Sequence, residues 1–144
     1  MSTLEDATVN GSIKTIGVSA TINASVSCVN NRPTGTLNGT AVVRKAFRRE
    51  TITFSSSTAI AVRTVKRFFT QSVEAQFGNV TVRNLTTGRT FSGCTAFLTA
   101  TRVSPTVFFA SINIVCRGVL VFRLFGFFSG SLIVNREAAY RLLT

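Results

Sequence analysis

The stretch IGVSATINASVSC, from Ile16 to Cys28, decides the fold class. Its odd-numbered positions are all Gly, Ser, Thr or Asn. Its even-numbered positions are apolar or small: Ile16, Val18, Ala20, Ile22, Ala24, Val26 and Cys28. An alternation with a period of two matches the geometry of a β-strand and conflicts with that of an α-helix. We therefore predict a long strand that buries one face, with Cys28 on the buried side.

Composition extends this prediction to the whole chain. The protein has 144 residues, of which 45% are apolar and 15% charged, and it is rich in the strand-favouring residues Val, Ile, Thr and Phe. All 13 phenylalanines lie from Phe47 onward, which suits a sheet of small side chains packed on a sheet of bulky ones. We therefore expect one all-β domain over residues 12–144, an antiparallel β-sandwich or jelly-roll-like fold. Residues 1–11 are expected to form a flexible N-terminal arm.

Turn residues separate the further strands. NNRPTG at 30–35 predicts a turn, and the turn at 86–89 predicts a hairpin. Residues 58–77 fit both the helical and the strand period, and we favour strands because the segment is rich in β-branched residues. The last residues, from 136, read as a short helix-like tail.

The most apolar segment, RGVLVFRLFGFFSGSLIV, runs from Arg117 to Val134 and contains Arg123. Its 11 large apolar residues favour bilayer insertion by roughly 3 to 7 kcal/mol, and a central Arg opposes it by about 3 kcal/mol. Glycines and serines bring the net free energy of insertion to near zero. We therefore favour two strands, at 118–128 and 130–135, over a membrane helix. Arg123 then shares one strand face with apolar neighbours, and we expect that face to meet another layer or another subunit. Glu5, Asp6 and Glu74 are the candidate partners of Arg123.

Signatures of catalysis and metal binding are missing. The chain has no His, no CxxC motif and only five acids. We therefore predict no enzymatic activity, no cofactor, no metal site and no small-molecule substrate. The cysteines Cys28, Cys94 and Cys116 leave three alternatives open: buried thiols, a disulfide, or thiols that join subunits.

The charge is strongly positive, with 16 Lys and Arg against five Asp and Glu. A cluster of cations with interleaved phenylalanines consists of Arg44, Lys45, Arg48, Arg49, Arg63, Lys66 and Arg67. Cations beside aromatic rings bind phosphates and stack on bases, so nucleic-acid or polyanion binding is one candidate function. The alternative is a solvated basic surface around buried phenylalanines.

Our leading hypothesis is a structural, self-assembling subunit, a homo-oligomer or polymer that forms part of a filament, appendage, surface layer or shell. Edge strands and the N-terminal arm would make the contacts, with Glu5, Asp6 and Arg123 as candidate contact residues. In class, the chain resembles the jelly-roll subunits of bacterial appendages, spore surface layers and small capsids, which would place it at a cell or particle surface. A small membrane-inserted protein is a further alternative. The N-terminal residues show no secretory signal, which leaves the localisation open.

Overall fold

A computed structural model describes residues 5–140, and within this range the chain forms ten strands and no helix. The strands are β1 (Ala7–Lys14), β2 (Val18–Val29), β3 (Arg32–Lys45), β4 (Arg48–Ser56), β5 (Thr58–Lys66), β6 (Gln71–Asn84), β7 (Thr90–Ser104), β8 (Val107–Cys116), β9 (Val119–Val134) and β10 (Ala138–Tyr140). The all-β prediction is therefore confirmed. The predicted sandwich or jelly roll is wrong, because the strands close into an eight-stranded antiparallel barrel.

The barrel closes because the pairing of strands returns to its starting point. From β1 to β9 the chain pairs antiparallel strands in sequence order, with β4 and β5 acting as one strand beside β6. β9 then pairs with β1, which joins the last strand of the barrel to the first. The chain therefore runs up and down around the barrel, and successive loops alternate between its two ends.

β4 and β5 form one long, bent strand. Both run antiparallel to β6, and the break between them falls at Ser57. The Ser56 hydroxyl holds the bend, because it donates to the Gly78 carbonyl oxygen at 2.6 Å and accepts from the Thr58 N–H at 3.1 Å. Residues 58–77 are thus strands and a turn, which confirms the strand interpretation.

Phenylalanines from the second half of the chain fill the barrel interior. Phe54, Phe77, Phe108, Phe122 and Phe128 are buried, whereas β1 to β3 line the interior with small residues such as Ala, Gly and Val. The Phe54 ring lies over its cross-strand partner Gly39, and Phe108 stacks on Phe128 with 5.5 Å between ring centroids. The predicted packing of small side chains against bulky ones is therefore present, but it lies inside one barrel rather than between two sheets.

β1 and β9 approach each other most closely at a pair of glycines, Gly11 and Gly130. A Cβ on Gly11 would lie 2.7 Å from the Phe108 ring, and one on Gly130 would overlap the carbonyl oxygen of Asn10. Gly130 also has a φ of 152°, where residues with a side chain are strained. The seam between the first and last barrel strands therefore requires glycine on both sides.

Three segments differ from the sequence-based expectations. Residues 7–11, expected in a flexible arm, form part of β1, which is paired on both sides, while residues 1–4 lie outside the described residues. Residues 119–134 form the single strand β9 rather than two strands. The segment expected to be helix-like forms irregular chain at 136–137 and β10 at 138–140, and residues 141–144 lie outside the described residues.

The segment after β9 crosses one end of the barrel. Val134 of β9 pairs with Ala7 at the seam, whereas β10 pairs with residues 62–64 of β5 on the opposite side of the barrel. Residues 135–137 therefore span that end, which we call the clasped end. The loops at 30–31, 67–70 and 105–106 belong to the same end.

One disulfide joins neighbouring strands. Cys94 of β7 and Cys116 of β8 are bonded, with 4.5 Å between their Cα atoms, while Cys28 is a free, half-buried thiol. The structure thus selects the disulfide among the alternatives for Cys94 and Cys116. A thiol contact between subunits through Cys28 stays a prediction.

We predict that Gly130→Ala destabilises the barrel by about 2 kcal/mol, because the new methyl group forces β9 away from β1. Thermal unfolding followed by circular dichroism measures the change. Gly17→Ala is the matched control, since nothing lies within 4 Å of a Cβ at Gly17. Equal unfolding temperatures for the two variants would contradict the requirement for glycine at the seam.

We predict that removing the disulfide with Cys94→Ser and Cys116→Ser lowers the free energy of unfolding by about 3 kcal/mol. The bond closes a chain separation of 22 residues, so its loss frees the unfolded chain. A reductant should lower the unfolding temperature of the wild type and of Cys28→Ser, but leave the double variant unchanged. A wild type insensitive to the reductant would contradict the prediction.

Candidate interaction surfaces

The outer face of β7, β8 and β9 carries a cluster of exposed apolar side chains. They are Phe97, Phe109, Phe125, Phe127 and Ile133, which we call the phenylalanine wall. Strand register brings them together, because Phe109 pairs with Phe127, and Phe125 pairs with Ser111 next to it. The rings of Phe109 and Phe127 meet edge to face with 5.2 Å between their centroids. Phe109, Phe125 and Phe127 therefore form one aromatic patch, with Phe97 on the adjacent strand β7 and Ile133 further along β9 beyond Ser129 and Ser131.

Arg123 lies within the phenylalanine wall. Its guanidinium carbon sits 5.0 Å from the centroid of the Phe125 ring, and its backbone pairs with Asn113. The partners that the sequence suggested for it, Glu5, Asp6 and Glu74, lie elsewhere: Asp6 pairs with Arg136, and Glu74 with Arg63. The Arg123 face is the barrel exterior, and within residues 5–140 no second layer of the chain covers it. Its contact with another subunit stays a prediction.

The end of the barrel opposite the clasped end is strongly basic, and we call it the basic end. The loops at 15–17, 46–47, 85–89 and 117–118 form it. Eight cations lie on or beside these loops: Lys14, Arg44, Lys45, Arg48, Arg49, Arg83, Arg89 and Arg117. Within residues 5–140, Glu50 is the only acid at this end, which gives a local net charge of +7. The rest of the described chain holds seven cations and four acids, a net charge of +3.

Apolar side chains stand at the tips of the same loops. Ile16 and Phe47 are fully exposed, and Leu85, Val119 and Leu120 are more than half exposed. Hydrogen bonds tie two of these loops to neighbouring strands. The Arg44 N–H of β3 donates to the Gly17 carbonyl oxygen at 2.9 Å, and the Leu85 N–H donates to the Thr51 carbonyl oxygen of β4 at 2.8 Å. The basic end therefore combines eight cations with exposed apolar side chains.

The structure divides the basic cluster that the sequence suggested. Arg44, Lys45, Arg48 and Arg49 flank the β3–β4 turn at the basic end, while Arg63, Lys66 and Arg67 lie towards the clasped end. The division arises because the bent strand β4–β5 runs the length of the barrel between them. Phe47, Phe68 and Phe69 are exposed at the two ends, so these rings are not part of the core.

Asp6 organises the clasped end. It is completely buried, its carboxylate accepts a hydrogen bond from the Cys28 N–H at 2.7 Å, and it forms an ion pair with Arg136. Its carbonyl oxygen accepts from the Asn135 N–H at 2.8 Å. The prediction that Asp6 reaches out to a neighbouring subunit therefore conflicts with its burial. Glu5 is exposed, and its carbonyl oxygen accepts from the Asn135 side chain at 2.7 Å.

The remaining carboxylates lie apart from one another. Glu50 contacts Arg48 at 3.5 Å, and Glu137 contacts Arg67 at 3.8 Å on the other end of the barrel. Residues 5–140 contain no group of three or more His, Cys, Asp and Glu side chains that could hold a metal ion. An open cavity of about 640 Å³ is lined by residues of β5, β6, β7 and β10, among them the Arg63–Glu74 pair and Tyr140.

No protein-family model matches the chain, and neither a curated protein nor a solved structure matches it. In the part of the chain that the structure describes, no helix is long and apolar enough to cross a membrane.

We predict that Asp6→Asn lowers the free energy of unfolding by about 2 kcal/mol, because a neutral amide loses the ion pair to Arg136 and weakens the bond from the Cys28 N–H. The midpoint of urea unfolding measures the change. Glu5→Gln is the control, since the described contact of Glu5 uses only its backbone. Similar midpoints for the two variants would show that the Asp6 carboxylate does not hold the clasped end.

Proposed function

We propose that this protein is a structural subunit that associates with copies of itself through the phenylalanine wall. The observation that carries the proposal is the exposure of Phe97, Phe109, Phe125 and Phe127 on three adjacent strands of a closed barrel. Their exposed fractions together equal about two whole phenylalanine side chains, or roughly 400 Å². Apolar patches of this size on single proteins often mark interaction sites.

The anatomy of the wall suits a protein partner. Its centre is aromatic, while threonines and serines such as Thr99, Thr101 and Ser111 lie beside the rings. An aromatic centre with a polar rim is the usual arrangement of protein interfaces, and one Arg over a ring adds a polar anchor. Copies that met here would pack two sheets face to face, about 10 Å apart.

The charge distribution favours a two-fold arrangement of antiparallel barrels. The chain has a net charge of +11, concentrated at the basic end, while Arg123 is the charged member of the wall. A two-fold axis perpendicular to the barrel axis places the two basic ends far apart and pairs the same patch on both copies. Such a contact reduces the repulsion that two copies of a strongly basic protein would otherwise experience.

The mechanism of association differs from the one that the sequence suggested. Barrel closure pairs β1 and β9 with each other, so strand addition at these positions would require the seam to open. Asp6 is occupied within its own chain, so the proposal does not use it as a contact residue. The proposed contact therefore uses side chains on the outer face instead of backbone edges.

We expect the wild type to sediment as a dimer or larger oligomer, and the variant Phe109→Ser with Phe127→Ser to sediment as a monomer. Loss of two central aromatic contacts should raise the dissociation constant of the oligomer at least about 30-fold. Analytical ultracentrifugation over a range of concentrations measures this, with circular dichroism as the test of folding.

The matched control is Phe68→Ser with Phe69→Ser. These two rings also form an edge-to-face pair, with 4.6 Å between centroids, but they stand on the loop after β5 at the clasped end. The control variant should associate like the wild type. A wild type that is monomeric at every concentration, or an oligomer that survives the change of Phe109 and Phe127, would refute the proposal.

A further inference from the structure

We infer that the basic end is a docking surface for an anionic lipid bilayer. This surface is separate from the phenylalanine wall: it lies on the loops of one barrel end rather than on the side of the barrel. Two independent features coincide there, a net charge of +7 and a set of exposed apolar tips. Neither feature is needed to hold the barrel together, since the tip residues are solvent-exposed.

The apolar tips are arranged for insertion into an interface. Ile16, Phe47 and Leu85 come from three different loops, and Val119 with Leu120 comes from a fourth. All four loops belong to the same end of one rigid barrel, so they can meet one plane together. Burying apolar side chains just below the headgroups while cations remain at headgroup level is the geometry of interfacial binding.

The cations complement the charge of such a surface. Arg44 and Arg49 pair across the β3–β4 hairpin directly below Phe47, and both are exposed. Arg117 stands at the β8–β9 turn, just before Val119. Lys and Arg side chains near a surface of acidic lipids each strengthen binding about fivefold, and salt screens this attraction.

The clasped end lacks this combination, although it also exposes two phenylalanines. Phe68 and Phe69 are exposed, but the neighbouring Arg67 contacts Glu137 at 3.8 Å, and Arg63 contacts Glu74 at 3.8 Å. Acids therefore offset part of the positive charge near these rings, and the excess is smaller than at the basic end. The two ends of the same barrel thus provide an internal comparison in which exposed aromatic rings are present at both, and the larger excess of positive charge at one.

A lipid surface explains the tips better than a nucleic acid does. Nucleic-acid binding by stacking requires aromatic rings along a basic groove. At the basic end Phe47 is the fully exposed ring, whereas Ile16, Leu85, Val119 and Leu120 are aliphatic and cannot stack on bases in this way. Aliphatic tips gain free energy by leaving water for the acyl region instead.

Co-sedimentation with vesicles tests the inference, using the full chain and phosphatidylcholine vesicles with and without phosphatidylserine. The wild type should bind the vesicles that contain phosphatidylserine, and binding should fall as salt is added. Ile16→Ser with Phe47→Ser should weaken binding at least about tenfold, and Arg44→Gln with Arg49→Gln about 25-fold. These residues are exposed, so circular dichroism should show the folded barrel in both variants.

Two controls separate this inference from its alternatives. Phe68→Ser with Phe69→Ser should bind vesicles like the wild type, and so should Phe109→Ser with Phe127→Ser, whose proposed defect is in self-association. Loss of vesicle binding in either control, no binding by the wild type, or equal binding to vesicles without phosphatidylserine would overturn the inference. A further outcome would also overturn it. In that outcome a single-stranded oligonucleotide displaces the protein from vesicles, and it binds the variant Ile16→Ser with Phe47→Ser as tightly as it binds the wild type.

Discussion

The structure depends on the close approach of two backbones where the barrel closes. Gly11 and Gly130 face each other across the β1–β9 seam, under the ring of Phe108. A side chain on Gly130 would force β9 away from β1 and weaken the seam. Closure at this point makes an eight-stranded barrel in which β4 and β5 count as one strand, and β10 is added to β5 at the clasped end. The hydrophobic interior and the position of every loop follow from it.

Closure also decides where interactions can take place. The interior of an eight-stranded barrel is just wide enough for its own side chains, and here five buried phenylalanines fill it against Ala, Val and Gly. The binding surfaces that we propose therefore lie outside, on the phenylalanine wall and at the basic end. The alternation of loops between the ends separates charge as well, since the cations beside the turns at 46–47 and 117–118 fall at one end and Glu137 of the C-terminal crossing at the other.

The sequence predicted local structure well where the chain alternates strictly. The strand β2, the hairpin with its turn at 86–89 and the strand character of 58–77 follow from period and turn residues alone. Ile16 was wrongly placed on the buried face, since β2 begins at Val18 and Ile16 is exposed in the preceding loop. It did not predict the barrel, because the decisive contact joins two glycines that are far apart in the chain. The burial of Asp6 was missed for a similar reason: its partners, Cys28 and Arg136, come from other strands and from the C-terminal crossing. Part of the phenylalanine wall could be predicted from the sequence, because Phe125 and Phe127 alternate onto the same strand face as Arg123. Only the strand register places Phe109 and Phe97 on the adjacent strands of that face.

All the barrel strands pair with neighbours in sequence except at the β1–β9 seam, and this difference affects the order in which the chain folds. The hairpins from β1 to β9 join neighbours in sequence, so each can form while the chain is still short. The β1–β9 ladder joins the two ends of the described chain and cannot form until almost all of it is available. Closing so long a loop is entropically costly, and non-local pairing slows folding. During synthesis one edge of β1 therefore stays unpaired until β9 has been made. Over this period the nascent chain is most prone to pair with strands of other molecules.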